Sequence, residues 1–390
     1  MNDRSYNKLG LYVHWPFCLL KCPYCDFNSH KIIKYNDEEW LKAYLSQLES
    51  VKELFDKYFF HHQSLSSIFF GGGTPSLMRP NLIEKIIEKA YKIFGFNNNI
   101  EITLEANPSS IEFQNIREFK TSGINRLSLG VQSLNDHDLL FLGRLHKSIE
   151  TKEIIKLAIK VFDNISVDLI YGLPFQDSNV WRKELSHFIK NYQLQHISAY
   201  QLTFEKGTKF YDMYKKKQLI KINDSLSLKF YNSTIEILEQ GNFYQYEISN
   251  FSKLNYESKH NKLYWNSENW FGIGPGAVSR FWNKESKRIE IQNFKKPLTW
   301  LKKASNSIKG FKNIIEIEDD ISDKEILIMG LRLINGIDIN KLKKREFLKT
   351  NSFRILQSNN LIKIKNEKIM VNKKDLIKLN YILNNITDTI

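Results

Sequence analysis

Residues 9–25 read LGLYVHWPFCLLKCPYC and hold both a candidate strand and every cysteine of the 390-residue chain, Cys18, Cys22 and Cys25. The first seven residues, LGLYVHW, are apolar and aromatic in the manner of a buried strand. That strand empties directly into the thiols. Pro23 and its aromatic neighbours describe a shaped loop there, not a helix face or a second strand.

The same juxtaposition recurs down the chain. Further candidate strands are LSSIFF (65–70), IEITLE (100–105), RLSLG (126–130), ISVDLIY (165–171) and HISAYQL (196–202), with longer amphipathic stretches between them. The clearest helix spans 37–58, where Asn36 suits the N-cap and Asp37, Glu38 and Glu39 suit the positive end of the dipole. Repeated βα units predict an α/β fold, and six of them predict a partial, open TIM-like βα barrel in place of a closed eight-stranded one. After the cysteines, the strands run into GGGT (71–74), Glu105, Gln132, YGLP just past Asp168, and TFEKGT. The active site of such barrels lies at the carboxyl ends of the strands, so unusual chemistry gathers on one rim. Glycines at 71–73 let backbone approach a ligand where a Cβ would clash, with a plain tight turn as the alternative. The run is neither a Walker loop nor a dinucleotide fingerprint.

Composition narrows the class. With 42% hydrophobic and 13% aromatic residues the chain is not disordered. Its first ten residues lack an apolar signal segment, and no run approaches the roughly 18 apolar residues of a membrane span. A cytoplasmic protein is expected. Three cysteines cannot all pair, so a disulfide framework is not expected. The net charge of +14 comes from Lys embedded among Ile and Asn, without an RNA-binding motif or a basic recognition helix, and no nucleic-acid partner is expected.

The boundaries expected are a barrel core over 1–240, an irregular aromatic-rich layer over the barrel mouth at 241–315, and a small winged-helix-like α/β appendage over 316–390. His61 and His62, in a polar connection, read as solvent-facing. Three thiols leave several chemistries open. Zinc at a structural site takes four protein ligands and would have to borrow His14 or His30. A four-iron cubane held by three cysteines keeps one iron open for a substrate or cofactor.

The Cys-x3-Cys-x2-Cys spacing is joined by YVHWPFC, CPYCDFNSH, FFGGGTPS, EANP, SLGVQS, DLIYGLP, YQLTFEKGT and YEISNF…HNKLYW…GIGPGA. Together these resemble the radical S-adenosylmethionine (SAM) superfamily over roughly residues 9–390, in the subgroup of oxygen-independent coproporphyrinogen III dehydrogenases and HemW-type haem chaperones. The resemblance implies a radical SAM type of partial barrel and a [4Fe-4S] cluster on Cys18, Cys22 and Cys25. Its open iron would bind the amino and carboxylate groups of SAM. The resemblance further implies SAM contacts at Tyr12, Tyr24, Gly72, Gly73, Thr74, Glu105, Gln132, Arg144 and Asp168. Of these, the carboxylates suit ribose hydroxyls or the methionyl ammonium, and Arg144 suits a carboxylate. Each has a plainer alternative, helix capping for the acids and core packing for Tyr12.

Two departures separate the branches. Phe27 stands where the dehydrogenases carry a fourth cysteine, and only 17 residues precede Cys18. The haem chaperone is therefore expected, able to cleave SAM but without dehydrogenase activity; the dehydrogenase is the alternative. A radical SAM methyltransferase acting on a macromolecule would usually bring a further cysteine beyond the cluster's three or a recognisable RNA-binding domain, and this chain has no fourth cysteine. In the chaperone branch an HNxxYW element is associated with haem, here His260, Asn261, Tyr264 and Trp265. Histidine is the commonest axial ligand and the rings offer flat faces, with Lys259 and Lys262 for the propionates. The competing reading has His260 and Asn261 fixing an aromatic loop against the barrel. Implied partners are haem as cargo, haem-accepting respiratory proteins, an electron donor for the cluster, and transient contact with membrane-bound acceptors.

Overall fold

Leu9–Trp15 forms strand β1, buried along both faces as a central strand of a parallel sheet must be. The structure, a computed structural model, describes residues 8–59, 63–109, 114–305 and 309–387, so His61 and His62 lie outside the described residues. From β1 the sheet runs in parallel through β2 (Leu65–Gly72), β3 (Phe96–Ala106), β4 (Arg126–Gln132), β5 (Ile165–Tyr171) and β6 (His196–Gln201). Antiparallel β7 (Tyr244–Glu247) and β8 (Asn250–Ser252) finish the β6 edge. On the other side β9 (Asn269–Ile273) lies parallel to β1 and leads to antiparallel β10 (Val278–Trp282), β11 (Arg288–Asn293) and β12 (Phe311–Ile317). The order β12-β11-β10-β9-β1-β2-β3-β4-β5-β6-β8-β7 has two free ends, so the sheet is open.

Helices cover the outer face. In α1 (Asp37–Tyr58) the Asn36 side chain accepts the N–H groups of Glu38 and Glu39, and Trp40, Tyr44, Leu48 and Phe55 are buried in the core that contains Leu9, Leu11 and Val13. α2 (Pro80–Phe94), α3 (Ser148–Val161), α4 (Ser178–Asn191) and α5 (Asp224–Gln240) complete the layer. Trp15 meets Phe17 and Trp40 edge-on at centroid distances of 5.4 and 5.3 Å, which anchors the base of the cysteine loop in this core.

The aromatic segment departs from expectation. Much of 241–315 is regular and not irregular: β7 to β12 extend the sheet at its two edges. KHNKLYW is a helix, α6 (Lys259–Trp265), capped by the Ser258 hydroxyl. Its position follows from the pairing of β9. Because β9 runs parallel to β1, with Asn269 opposite Leu9, the chain must return to the amino end of the strands before entering β9. α6 therefore closes the end of the barrel opposite the cysteines.

The last segment has α7 (Asp319–Gly330), α8 (Asn351–Ser358), α9 (Leu379–Thr387) and a three-stranded antiparallel sheet ordered β13 (Ile337–Asp338), β15 (Lys368–Val371), β14 (Ile362–Lys365). Its core takes in Tyr231 of α5 and Trp282 of β10, which seats it against the barrel. Among the described residues no helix is long and apolar enough to cross a membrane.

Candidate functional site at the barrel rim

The carboxyl ends of β1 to β6 open onto a cavity of about 860 Å³. Cys18, Cys22 and Cys25 line it with Tyr24, Gly73 and Thr74, while Glu105, Gln132, Arg144 and Asp168 form the wall beyond. Local geometry explains the convergence. The Gly73 and Thr74 N–H groups donate to the Trp15 and Phe17 carbonyls at 2.6 and 2.8 Å, so the glycine turn is tied to the cysteine loop. A Cβ at Gly73 would lie 2.6 Å from the Phe17 carbonyl oxygen, a separation only glycine permits. Gln132 ends β4 at φ +68°, a conformation uncommon outside glycine and concentrated at functional sites.

Arg144 links three strand ends. It donates to Cys22 Sγ and Tyr24 Oη at 3.5 Å each, to the Gly130 carbonyl at 2.9 Å, and to Asn107 Oδ1. Asn107 in turn donates to Thr74 Oγ1 at 3.2 Å. Asn107 was not singled out from the sequence, although its place in EANP, two residues past Glu105, carried the signal. Tyr12 and Gly72 stand behind the cavity. The Tyr12 hydroxyl shares a hydrogen bond with His14 Nδ1 at 3.0 Å, and the Gly72 N–H donates to Glu105 Oε2 at 3.2 Å.

Electrostatics single out the wall carboxylates. Burial, then the neighbouring Asp168, pushes Glu105 up to about 8. Burial also raises Asp168, against hydrogen bonds from Ser198, Ser128 and Ser166. A cationic or hydroxyl-bearing ligand would favour the ionised forms. Burial pushes the Cys18 and Cys25 thiols up as well, so metal ligation is what would make them thiolates. Among the described residues no three His, Cys, Asp or Glu side chains converge on one ion. The three thiols line one cavity. His14 is no fourth ligand: its two ring nitrogens meet Tyr12 Oη and the Asn28 carbonyl, and burial lowers it to about 4.

The expected haem contacts lie elsewhere. His260 is 1% exposed, with Nδ1 bonded to Ser67 Oγ and Nε2 to Tyr264 Oη at 2.8 Å each, and burial lowers it to about 3. Both imidazole nitrogens are engaged inside the barrel, away from the thiols, an arrangement that suits the competing reading in which His260 fixes its segment against the barrel. Trp265 lies under the Arg332 guanidinium, 4.5 Å from its ring centroid. Lys259 Nζ donates to the Asn99 carbonyl and Lys262 pairs with Glu257 at 3.6 Å.

Thiols after the first strand, a glycine turn after the second and carboxylates on the third and fifth define a radical SAM type of barrel. The radical SAM superfamily model matches residues 12–182. The chain is 37% identical to the mitochondrial radical S-adenosyl methionine domain-containing protein 1 of Dictyostelium discoideum, covering 91% of this chain and 90% of that protein. It is 36% identical to the haem chaperone HemW of Haemophilus influenzae over 69% of each chain, and 28% identical to that of Lactococcus lactis over 94% and 92%. The radical SAM enzyme coproporphyrinogen III oxidase (HemN) of Escherichia coli shares the fold, with a TM-score of 0.78, 20% identity and coverage of 100% of this chain and 92% of that one. The chain belongs to the radical SAM superfamily, in the group that contains these HemW relatives. That family implies a [4Fe-4S] cluster and SAM.

Proposed function

We propose that the chain is a haem chaperone that holds a [4Fe-4S] cluster on Cys18, Cys22 and Cys25, binds SAM at the rim, and delivers haem to respiratory acceptor proteins from the cytoplasm, in transient contact with those in the membrane. The observation that carries this reading is the convergence of the chain's three thiols with Glu105, Asp168 and Arg144 on one cavity. When bound together, the cluster and SAM supply one-electron cleavage chemistry, driven by an external electron donor. The chain's own part is to hold and orient: Arg144 sets positive charge against Cys22, and Glu105 and Asp168 offer acceptors to SAM.

The relatives named as haem chaperones support haem as the cargo. Phe27 supports the chaperone over the dehydrogenase, because it lines the cavity where those enzymes carry a fourth cysteine. Haem is assigned to the part of this cavity lined by Tyr200, Tyr231, Ile248, Ile377 and Leu379, which offer rings and apolar side chains, with the Arg332 guanidinium beside them. Haem titration tests the reading. The native protein binds about one equivalent per chain, Leu379→Asp binds less tightly, and His260→Ala keeps the native haem spectrum. Absence of binding at micromolar haem would end the chaperone reading, and turnover of coproporphyrinogen III by the reconstituted protein would put the dehydrogenase in its place.

A further inference from the structure

Below the cavity, inside the barrel, stands a buried cation. Arg126 opens β4 and is 2% exposed. Its Nη1 donates to Thr103 Oγ1 at 3.5 Å, while its Nε lies 3.9 Å from Glu101 Oε2 and has no hydrogen-bond partner. The Glu101 carboxylate is engaged elsewhere, accepting the N–H groups of Lys259 and His260 at the start of α6 at 3.2 Å each. Arg126 and Glu101 form a buried ion pair without a direct hydrogen bond, and the Glu101 oxygens are shared with the helix N-terminus. A buried guanidinium persists where opposite charges nearby offset its desolvation.

Those charges lie one layer nearer the rim. β3 and β4 pair with Thr103 opposite Arg126 and Glu105 opposite Ser128, and Ser128 Oγ donates to Asp168 Oδ2 at 2.9 Å. The titratable groups that interact with Arg126 or with the two wall carboxylates are Tyr12 from β1, Glu101 and Glu105 from β3, Asp168 from β5, His196 and Tyr200 from β6, Tyr246 from β7, and His260 and Tyr264 from α6. Burial keeps both histidines neutral and the tyrosines protonated, which leaves Arg126, shared with Glu101, as the positive charge among these groups.

We infer that Arg126 is a positioning residue of the cofactor site, its guanidinium holding the Glu105 and Asp168 carboxylates as hydrogen-bond acceptors for a cationic, hydroxyl-bearing ligand such as SAM. The inference rests on the reading of the cavity as a SAM site. Removing the positive charge favours protonated carboxyls, so the pH below which SAM binding fails should rise.

The test is SAM affinity by calorimetry on cluster-reconstituted protein, from about pH 5.5 to pH 9. Arg126→Met should move the binding midpoint upward by about one pH unit and weaken binding at pH 7 about tenfold, whereas Arg126→Lys should keep the native midpoint. An unchanged midpoint in folded Arg126→Met overturns the inference, since a purely structural role lowers stability without moving it. Should Arg126→Met fail to fold, Arg126→Lys decides alone: a retained midpoint supports the role of charge, and one raised by about a full unit overturns it. Native protein that binds no SAM at any pH removes the cofactor reading itself, a result distinct from binding with an unmoved midpoint.

Discussion

At the scale of single residues, two buried titratable groups give opposite pH signatures. Glu105 is raised to about 8 from an ordinary 4.5, so the ligand-free fold prefers it protonated. Its contribution to stability is complete below about pH 4.5 and is lost as pH rises through about 8. Glu105→Gln should therefore flatten the decline in melting temperature across that window, and an unchanged profile would show the carboxyl to be solvated. His260 is lowered to about 3 from 6.5, so its contribution is present above about 6.5 and is lost as pH falls toward 3. His260→Ala removes two buried hydrogen bonds and should destabilise the fold by about 1–3 kcal/mol near neutrality. A haem spectrum altered in that variant while its stability is native would restore His260 as a ligand. The sequence exposed the chemistry of these residues but not their surroundings. HNxxYW reads equally as a haem face or a structural plug, and the partners Ser67 and Tyr264, the first distant in sequence, favour the plug.

At the scale of elements, the strands were legible because central parallel strands are apolar along both faces: 9–15 and 165–171 are found at the residues expected. α1 was legible from its cap, and Asn36→Ala should cost about 1 kcal/mol, measured by chemical denaturation. The helix at 259–265 was not legible. Seven residues with two aromatics and one asparagine carry too little periodicity to mark a helix, and its place depends on β9 pairing with β1 across more than 250 residues of sequence. The glycine turn was read as a place where backbone comes close to a ligand, and the structure shows the approach to be to the cysteine loop as well. Gly73→Ala sets a Cβ 2.6 Å from the Phe17 carbonyl, which must displace that loop. Reconstitution of that variant should yield less than half the native iron; a full complement would show that the loop can yield without losing the ligands.

At the scale of the whole molecule, the open sheet does two jobs at its two ends. The amino end of the barrel is filled by α6, with Glu101 receiving the helix N-terminus, while the carboxyl end stays open between the cysteine loop and the C-terminal segment. The C-terminal segment could be foreseen as a small winged-helix-like appendage, but not that Ile377, Leu379 and Arg332 would share a cavity with the thiols. That juxtaposition arises from packing on Tyr231 and Trp282, long-range contacts that local pattern does not encode. The proposed function places two groups, cluster and SAM, in one cavity. Anaerobic reconstitution followed by electron paramagnetic resonance of the reduced cluster, with and without SAM, examines both together. About four irons per native chain and a spectrum that shifts on SAM addition are expected, with the cluster lost in Cys22→Ser. Stoichiometric zinc, or a four-iron spectrum that SAM leaves unchanged, would contradict it.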